Sequence, residues 1–512
     1  MESIVEADPS LMSDPLGTLS RLRLIGVQQV RLSIYWSQIA PSPQSRRPPR
    51  HFDAGDPAAY PPANWAIWDT IITAAAADGI SIDLDPQGTA PRWALGRGEP
   101  RGATNMNWEP SAADFGRFMH ALGVRYSGHY TPPGASSPLP RVSFWSVWNE
   151  PDYGPSLAPQ GVPGHLTVEN SPRMYRNLVD AAWTALHQTG HGSDTFLFGE
   201  LAPRGKPFWG VFSGMKPLPF LRAMYCLDAR YRPLRGAAAA IRGCPTTAAG
   251  SRRFRARNPA LFEATGVSDH PYMRWYPPNR EAQPDPDYST LGTIANLEQA
   301  LDRLQRAYGS RARLPIWDTE FGYITDPPKH HDQYPWVSPA TAAYYINWAE
   351  YISWRDPRIR SFDQYLLYDP EAALKANDWG GFASGLLTFT GAQKPTYSAF
   401  RLPLYLPVSA TRRGRSLEVW GCARPATFAI LDTGSPQSVE IQFAPAGTRR
   451  FTTLRTVTIS SARSGCYFDV RVAFPASGLV RLAWTYPTLD TELPAPARGF
   501  TAYSRLARVS VR

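Results

Sequence analysis

Short apolar runs of strand character alternate with segments of helical periodicity from the first residues to about residue 400, and this alternation restricts the fold more than any other feature. Strand-like runs fall at 28–34, 81–84, 142–148, 195–198, 266–268, 314–317 and 361–367, and an eighth lies around Ile4 and Val5. Between them, apolar residues recur at helical spacing: Leu19, Leu22 and Ile25 before Gly26; Phe115, Phe118, Met119, Leu122 and Tyr126 after Pro110; Tyr175, Leu178, Val179, Ala182 and Leu186 between Ser171-Pro172 and Gly190; Leu297, Leu301, Leu304 and Tyr308 before Gly309. Strands that are apolar throughout, each followed by a helix, are buried on both faces and therefore parallel. Eight such units in about 400 residues predict an α/β fold, a (β/α)8 TIM barrel. An open doubly wound sheet is the competing arrangement, but no Gly-rich phosphate turn follows an early strand.

After Pro403 the pattern changes. Short runs at 417–420, 428–431, 439–443, 454–459, 468–474 and 479–484 are separated by turn residues, and several alternate apolar with polar. This predicts a C-terminal antiparallel β-sandwich domain over 406–512, behind a catalytic barrel over 1–405. Residues 217–260, rich in Ala, Arg and Pro, read as a helix-poor insertion between the fifth and sixth strands and as a candidate determinant of subsite shape.

A chain of 512 residues, 43% hydrophobic and 12% aromatic, is globular and too long for one core. It contains no apolar run of 18 residues, so no membrane span is expected. The net charge of +10 invites a nucleic-acid reading. Only five of the 53 basic residues are Lys, however, and the Arg are scattered rather than striped; no nucleic-acid partner is expected. A basic surface remains compatible with acidic polysaccharides. The four cysteines form two local pairs, Cys226 with Cys244 and Cys422 with Cys466, without metal-ligand spacing. Two disulfides in a secreted protein are expected. The opening MESIVEADPS has neither the charged start nor the apolar core of a leader, so secretion implies a leader already removed.

In a barrel, chemistry gathers at the C-terminal ends of the strands. Here strand two carries Arg31 and leads to Trp36, and strand three runs through Asp85 toward Trp93. Strand four ends Trp148-Asn149-Glu150-Pro151, and strand six ends Asp269-His270-Pro271-Tyr272. Strand seven ends Asp318-Thr319-Glu320-Phe321, and strand eight leads through Tyr365 to Trp379. Glu150 and Glu320 would face each other across the barrel mouth. Retaining glycoside hydrolysis needs such a pair, one nucleophile and one acid/base, about 5 Å apart and in unlike surroundings. Arg31 would keep Glu320 ionised. Asn149 would donate to a sugar hydroxyl, His270 and Tyr272 would orient the nucleophile and bind sugar, and Trp36, Trp93, Trp148, Trp275 and Trp379 offer flat faces to sugar rings.

The set VRLSIYWSQIAP, WNEP, SDHPY, WDTEFG and GLLTFTGAQKPTYSAF resembles clan A of the glycoside hydrolases, and is similar to family 39 and its relatives and to family 5. The resemblance covers about residues 1–405. It implies a retaining O-glycosidase with acid/base Glu150, nucleophile Glu320, sugar-binding Asn149 and strand-two Arg31, with His270 and Tyr272 at the strand-six positions. It implies a carbohydrate substrate, no cofactor and no metal. Strand eight departs from the pattern: Gln364 and Tyr365 stand where many members have a Trp, with Trp379 as substitute. The 217–260 insertion is not general to the clan.

Bland readings compete for every residue singled out. Glu150 alone is a loop carboxylate before a proline, Glu320 alone a helix cap, Arg31 a core-edge ion pair, His270 a turn-fixing residue and each Trp core packing. Two rival carboxylates stand nearby: Glu109, explained by the helix start it precedes, and Glu200, which ends strand five. The alternative function is a carbohydrate-binding protein on a barrel scaffold without catalysis; the intact pair of glutamates argues against it.

Overall fold

The computed structural model describes residues 1–100, 106–206, 208, 210–330, 332–374 and 381–512. Eight parallel strands form one sheet: β1 (Glu2–Glu6), β2 (Gln29–Tyr35), β3 (Ser81–Gln87), β4 (Phe144–Trp145), β5 (Thr195–Leu201), β6 (Gly266–Asp269), β7 (Ile316–Asp318) and β8 (Ser361–Tyr365). They neighbour one another in chain order, and β8 returns to pair with β1, from Glu2 opposite Ser361 to Glu6 opposite Tyr365. The remaining seam is bridged where Ile316 N–H donates to Arg358 O at 2.8 Å and Arg360 N–H to Ile316 O at 2.9 Å. All eight expected strands are present, because each is buried on both faces and leaves the chain no alternative use for its apolar run.

Helices cover the outside. The expected ones form at Pro15–Leu24, Ala112–Arg125, Ser171–Gln188 and Ile294–Ala307. Pro110 does not open the second of these: Ser111 is its N-cap, its Oγ accepting from Asp114 N–H at 3.2 Å. The insertion is also more helical than expected, with a two-turn helix at Pro217–Met224 and four shorter pieces ending at Glu263. It packs outward. Buried Arg176, on the helix Ser171–Gln188, donates to Met224 O at 2.8 Å and Gly243 O at 3.1 Å, and the disulfide Cys226–Cys244 closes the turn between them. Among the described residues, no helix is long and apolar enough to cross a membrane.

The C-terminal part forms two mainly antiparallel sheets around a second apolar core of Val419, Ile441, Phe443, Val480, Leu482 and Trp484, and carries the Cys422–Cys466 disulfide. Residues 428–431, expected as a strand, lie instead in the helix Ala426–Thr433. Pro425 in front and Gly434 behind, at φ +67°, are start and stop signals that outweigh a short apolar run. This unit docks on the barrel through Arg424–Glu350 at 2.6 Å, with Tyr467 Oη donating to the same Glu350 oxygen at 2.8 Å, and through Arg23–Asp432 at 2.7 Å.

Candidate active site

Strand alternation builds the site. On β2, Arg31, Ser33 and Tyr35 point to one face, and on β3 Asp83, Asp85 and Gln87 do the same. These ladders run up the barrel interior and open into a cavity of about 430 Å³ at the C-terminal ends, lined among others by Glu6, Arg31, Tyr35, Gln87, Asn149, Glu150, Tyr272, Glu320, Tyr365 and Phe382.

Arg31 is the hub. Its Nη1 donates to Glu6 Oε2 at 2.5 Å and Glu320 Oε1 at 3.0 Å; its Nη2 donates to Asp85 Oδ2 at 2.9 Å, Asn149 Oδ1 at 3.0 Å and Glu200 Oε2 at 3.0 Å. One guanidinium thus serves four carboxylates. The other oxygen of Glu320 accepts from Tyr272 Oη at 3.0 Å. His270, fully buried, places Nδ1 at 3.2 Å from Glu150 Oε1 and 3.6 Å from Glu320 Oε2, and Nε2 at 2.8 Å from Glu200 Oε2. One donor atom from each of Glu150, His270 and Glu320 lies within 4.8 Å of the others. A cation could bridge that spacing, but His270 directs both nitrogens at carboxylate oxygens and has no lone pair left to give.

The backbone that presents these groups is strained. Trp148, Glu150 and Glu200 all have left-handed φ, at +66°, +41° and +46°, each costing of order 1 kcal/mol or more unless the surroundings impose it. They do: Trp148 N–H donates to Pro86 O at 3.1 Å, its indole N–H to Ser156 O at 2.9 Å, and Glu150 N–H to Glu200 O at 2.9 Å. At Glu200 a bulge, with Gly199 at φ +130°, turns the side chain inward.

Electrostatically the floor is overloaded with carboxylates. Burial pushes Glu320 up to about 7, against the pull of His270 and Arg31. Arg31 pulls Glu320 toward the ionised form as expected, and burial outweighs that pull. Glu200 goes the other way. Burial opposes its charge, but Arg31 and His270 outweigh that and bring it to about 2. His270 is raised because burial, which disfavours the imidazolium, is overcome by Glu320, Glu150 and Glu200. Deeper in the barrel, burial raises Asp83 to about 7 and Asp269 to about 8, although Ser146 and Ser289 hydroxyls donate to them.

No family model matches this chain, and no curated protein matches it. Solved structures do resemble it. One is a family 39 glycoside hydrolase from the gut symbiont Bacteroides cellulosilyticus WH2, at 14% identity, 92% of this chain, 81% of that chain and a TM-score of 0.49. Another is GH5_18 from Streptomyces cattleya in complex with GlcNAc, at 14% identity, 77% of each chain and a TM-score of 0.43. A third is a family 1 β-glucosidase from Thermotoga maritima, at 14% identity, 73% of this chain, 80% of that chain and a TM-score of 0.40.

Arg31, Asn149, Glu150, Tyr272 and Glu320 converge on the cavity as the sequence suggested, with His270 directly beneath. The expected tryptophans among the described residues do not. Trp36 is fully buried in a stack on Phe118, because the helix Trp36–Ile39 begins as soon as β2 ends and turns the indole into the core. Trp93 packs edge-on against Trp36 and donates to Pro41 O at 3.1 Å. Trp148 is core as well. Trp275 stands behind Trp336, 5.5 Å between ring centroids, and it is Trp336 that reaches the cavity. Trp379 lies outside the described residues. The aromatic lining comes from Tyr35, Tyr153, Tyr272, Tyr365, Phe382 and Trp336, and no described residue of 217–260 lines the cavity. Glu6 and Trp336 escaped the sequence reading. Glu6 was recognisable from its place at the end of β1, in register with Arg31.

Proposed function

We propose that this protein is a retaining glycoside hydrolase that cleaves O-glycosidic bonds of a plant or microbial polysaccharide, oligosaccharide or glycoside, with Glu150 as acid/base and Glu320 as nucleophile. The observation that carries the reading is the approach of these two carboxylates to within 4.8 Å over one cavity. Retention calls for about 5–5.5 Å, whereas an inverting pair needs roughly 6.5–9.5 Å to admit a water.

In the first step a Glu320 oxygen bonds to the anomeric carbon as the glycosidic C–O bond breaks, and Glu150 gives its proton to the leaving oxygen. In the second, Glu150 takes a proton from water, the water oxygen bonds to the anomeric carbon, and Glu320 leaves. Tyr272 and Arg31 each hold one Glu320 oxygen and so fix its attack direction. Arg31 occupies Asn149 Oδ1, which leaves the Asn149 amide as donor to a sugar hydroxyl. Tyr365, Phe382 and Trp336 supply apolar faces for sugar rings or aglycone. The boundaries 1–405 and 406–512 and secretion belong to the same proposal; two disulfides support the latter.

A panel of aryl arabinosides, xylosides, glucosides, galactosides and uronides, with product stereochemistry followed by NMR, tests it. Hydrolysis with retained configuration, lost in Glu150→Gln and Glu320→Gln, is the expected result. Sugar binding without turnover would favour the non-catalytic alternative, and inverted product would end the double-displacement reading.

A further inference from the structure

Glu200 does not line the cavity, yet Arg31, His270 and the backbone of Glu150 are bonded to it. Its side chain is fully buried. One oxygen, Oε2, accepts from Arg31 at 3.0 Å, His270 Nε2 at 2.8 Å and Thr319 Oγ1 at 3.1 Å. Its backbone carbonyl holds Glu150 N–H at 2.9 Å, and its own N–H donates to Ser268 Oγ at 2.8 Å. The second carboxylate oxygen, Oε1, is buried without a hydrogen-bond partner. A carboxylate with one oxygen triply bonded and the other idle is unusual, because burying it costs several kcal/mol that neutral alternatives avoid. Here its charge is what the surroundings require.

The requirement comes from His270. Glu200 meets Nε2, while Glu150 and Glu320 share Nδ1. An ionised carboxylate only accepts, so Nε2, which meets Glu200, carries hydrogen, and Nδ1 carries one whenever the carboxylate oxygens it faces are ionised. Resting on the glycosidase reading above, we propose that Glu200 is a positioning residue: it fixes His270 as a doubly protonated imidazolium between Glu150 and Glu320, and thereby gives Glu150 a charged hydrogen-bond donor and sets a positive charge 3.6 Å from Glu320. When Glu150 hands its proton to the leaving oxygen, the carboxylate it becomes faces Nδ1–H. When Glu320 is released in the second step, the same N–H faces it. His270 keeps its two protons throughout.

Other charges face this group from neighbouring strands. Arg31 on β2 and His270 at the end of β6 are the cations. Against them stand Glu6 on β1, Asp83 and Asp85 on β3, Asp152 beyond β4, Asp269 on β6, and Asp318 and Glu320 on and after β7. Removing one negative charge at hydrogen-bond distance from Nε2 makes the imidazolium a stronger acid.

Glu200→Gln isolates that charge. The amide oxygen takes over the three bonds at Oε2, and the NH2 falls where Oε1 already lacks a partner, so geometry is kept. The test is an NMR titration of the histidine side chains in the full chain, with His270→Gln to assign the resonance. In the wild type, His270 is doubly protonated at pH 7; in Glu200→Gln its midpoint falls by about one unit or more. In parallel, the basic limb of kcat/KM moves to lower pH and kcat falls about 10- to 100-fold, while KM changes less than about twofold because Glu200 does not touch substrate. A wild-type His270 that is neutral at pH 7 overturns the proposal on its own, without any variant. So does a Glu200→Gln midpoint within about 0.3 units of wild type. A chain that hydrolyses no glycoside would instead overturn the glycosidase reading and show no pH limb, with the titration still deciding where the charge sits.

Discussion

Two arginines of this protein are equally buried, each 1% exposed, and their surroundings differ in a telling way. Arg424, in the C-terminal unit, meets one carboxylate, Glu350, at 2.6 Å, donates to Phe400 O at 2.9 Å and lies over the Phe400 ring at 4.1 Å. Its charge is matched one to one, and its work is to hold the unit to the barrel. Arg31 is shared among Glu6, Asp85, Glu200 and Glu320, beside an open cavity. An excess of buried carboxylates over cations does not stabilise a fold. It is tolerated where protons have to be held and moved, which is why the barrel mouth and not the interdomain contact reads as chemistry. The contrast also disposes of the overall charge: a chain of net +10 carries its densest buried cluster as acid.

Arg31→Met should have the largest effect. Turnover should fall by at least about 10³-fold as the nucleophile loses its cation. The melting temperature should drop more at pH 8 than at pH 5, where the stranded carboxylates take up protons. Equal loss of stability at both pH values, with activity kept, would make the two arginines alike. Next, Glu350→Ala, which leaves Arg424 buried and unpaired, should cost about 3–5 kcal/mol in denaturant unfolding with kcat/KM unchanged. Glu350→Leu combined with Arg424→Met should recover most of that, since an apolar pair replaces the matched ions.

The third prediction concerns pH. Asp83 and Asp269, raised to about 7 and about 8, bind protons in the folded chain that the unfolded chain has already released. Their contribution is fully present below about pH 4 and lost as pH rises through 7–8, so stability should increase from pH 8 to pH 5, by about 6 kcal/mol. Glu200, lowered to about 2, acts oppositely: its contribution is present above about pH 4.5 and lost as pH falls toward 2. Asp83→Asn should flatten the alkaline side, measured by calorimetry at several pH values. The smallest effect expected is Trp336→Ala, raising KM about tenfold with little change in melting temperature. Trp36→Ala, in the core, should do the reverse and cost about 3–5 kcal/mol.

Which parts of this were legible in the sequence follows from the same physics. Barrel strands announce themselves because two-sided burial forces unbroken apolar runs, and the short β4 was found only through the longer run around it. Glu150 and Glu320 were legible because a carboxylate at the tip of such a strand needs a purpose. The tryptophans misled because a strand tip and the core beneath it ask for the same indole, and only the turn into Trp36–Ile39 decides which receives it. Glu200 was visible as a rival, but its inward aim depends on a bulge at Gly199 that no local pattern encodes. The helix Ala426–Thr433 was readable from Pro425 and Gly434 and was masked by an apolar run of strand length.

Replacing Glu320 by Gly and adding azide tests the central claim most directly. Azide should restore turnover of a reactive aryl glycoside, and the product should be a glycosyl azide of anomeric configuration opposite to that of the substrate. Unimpaired hydrolysis by Glu320→Gly without azide would contradict the account.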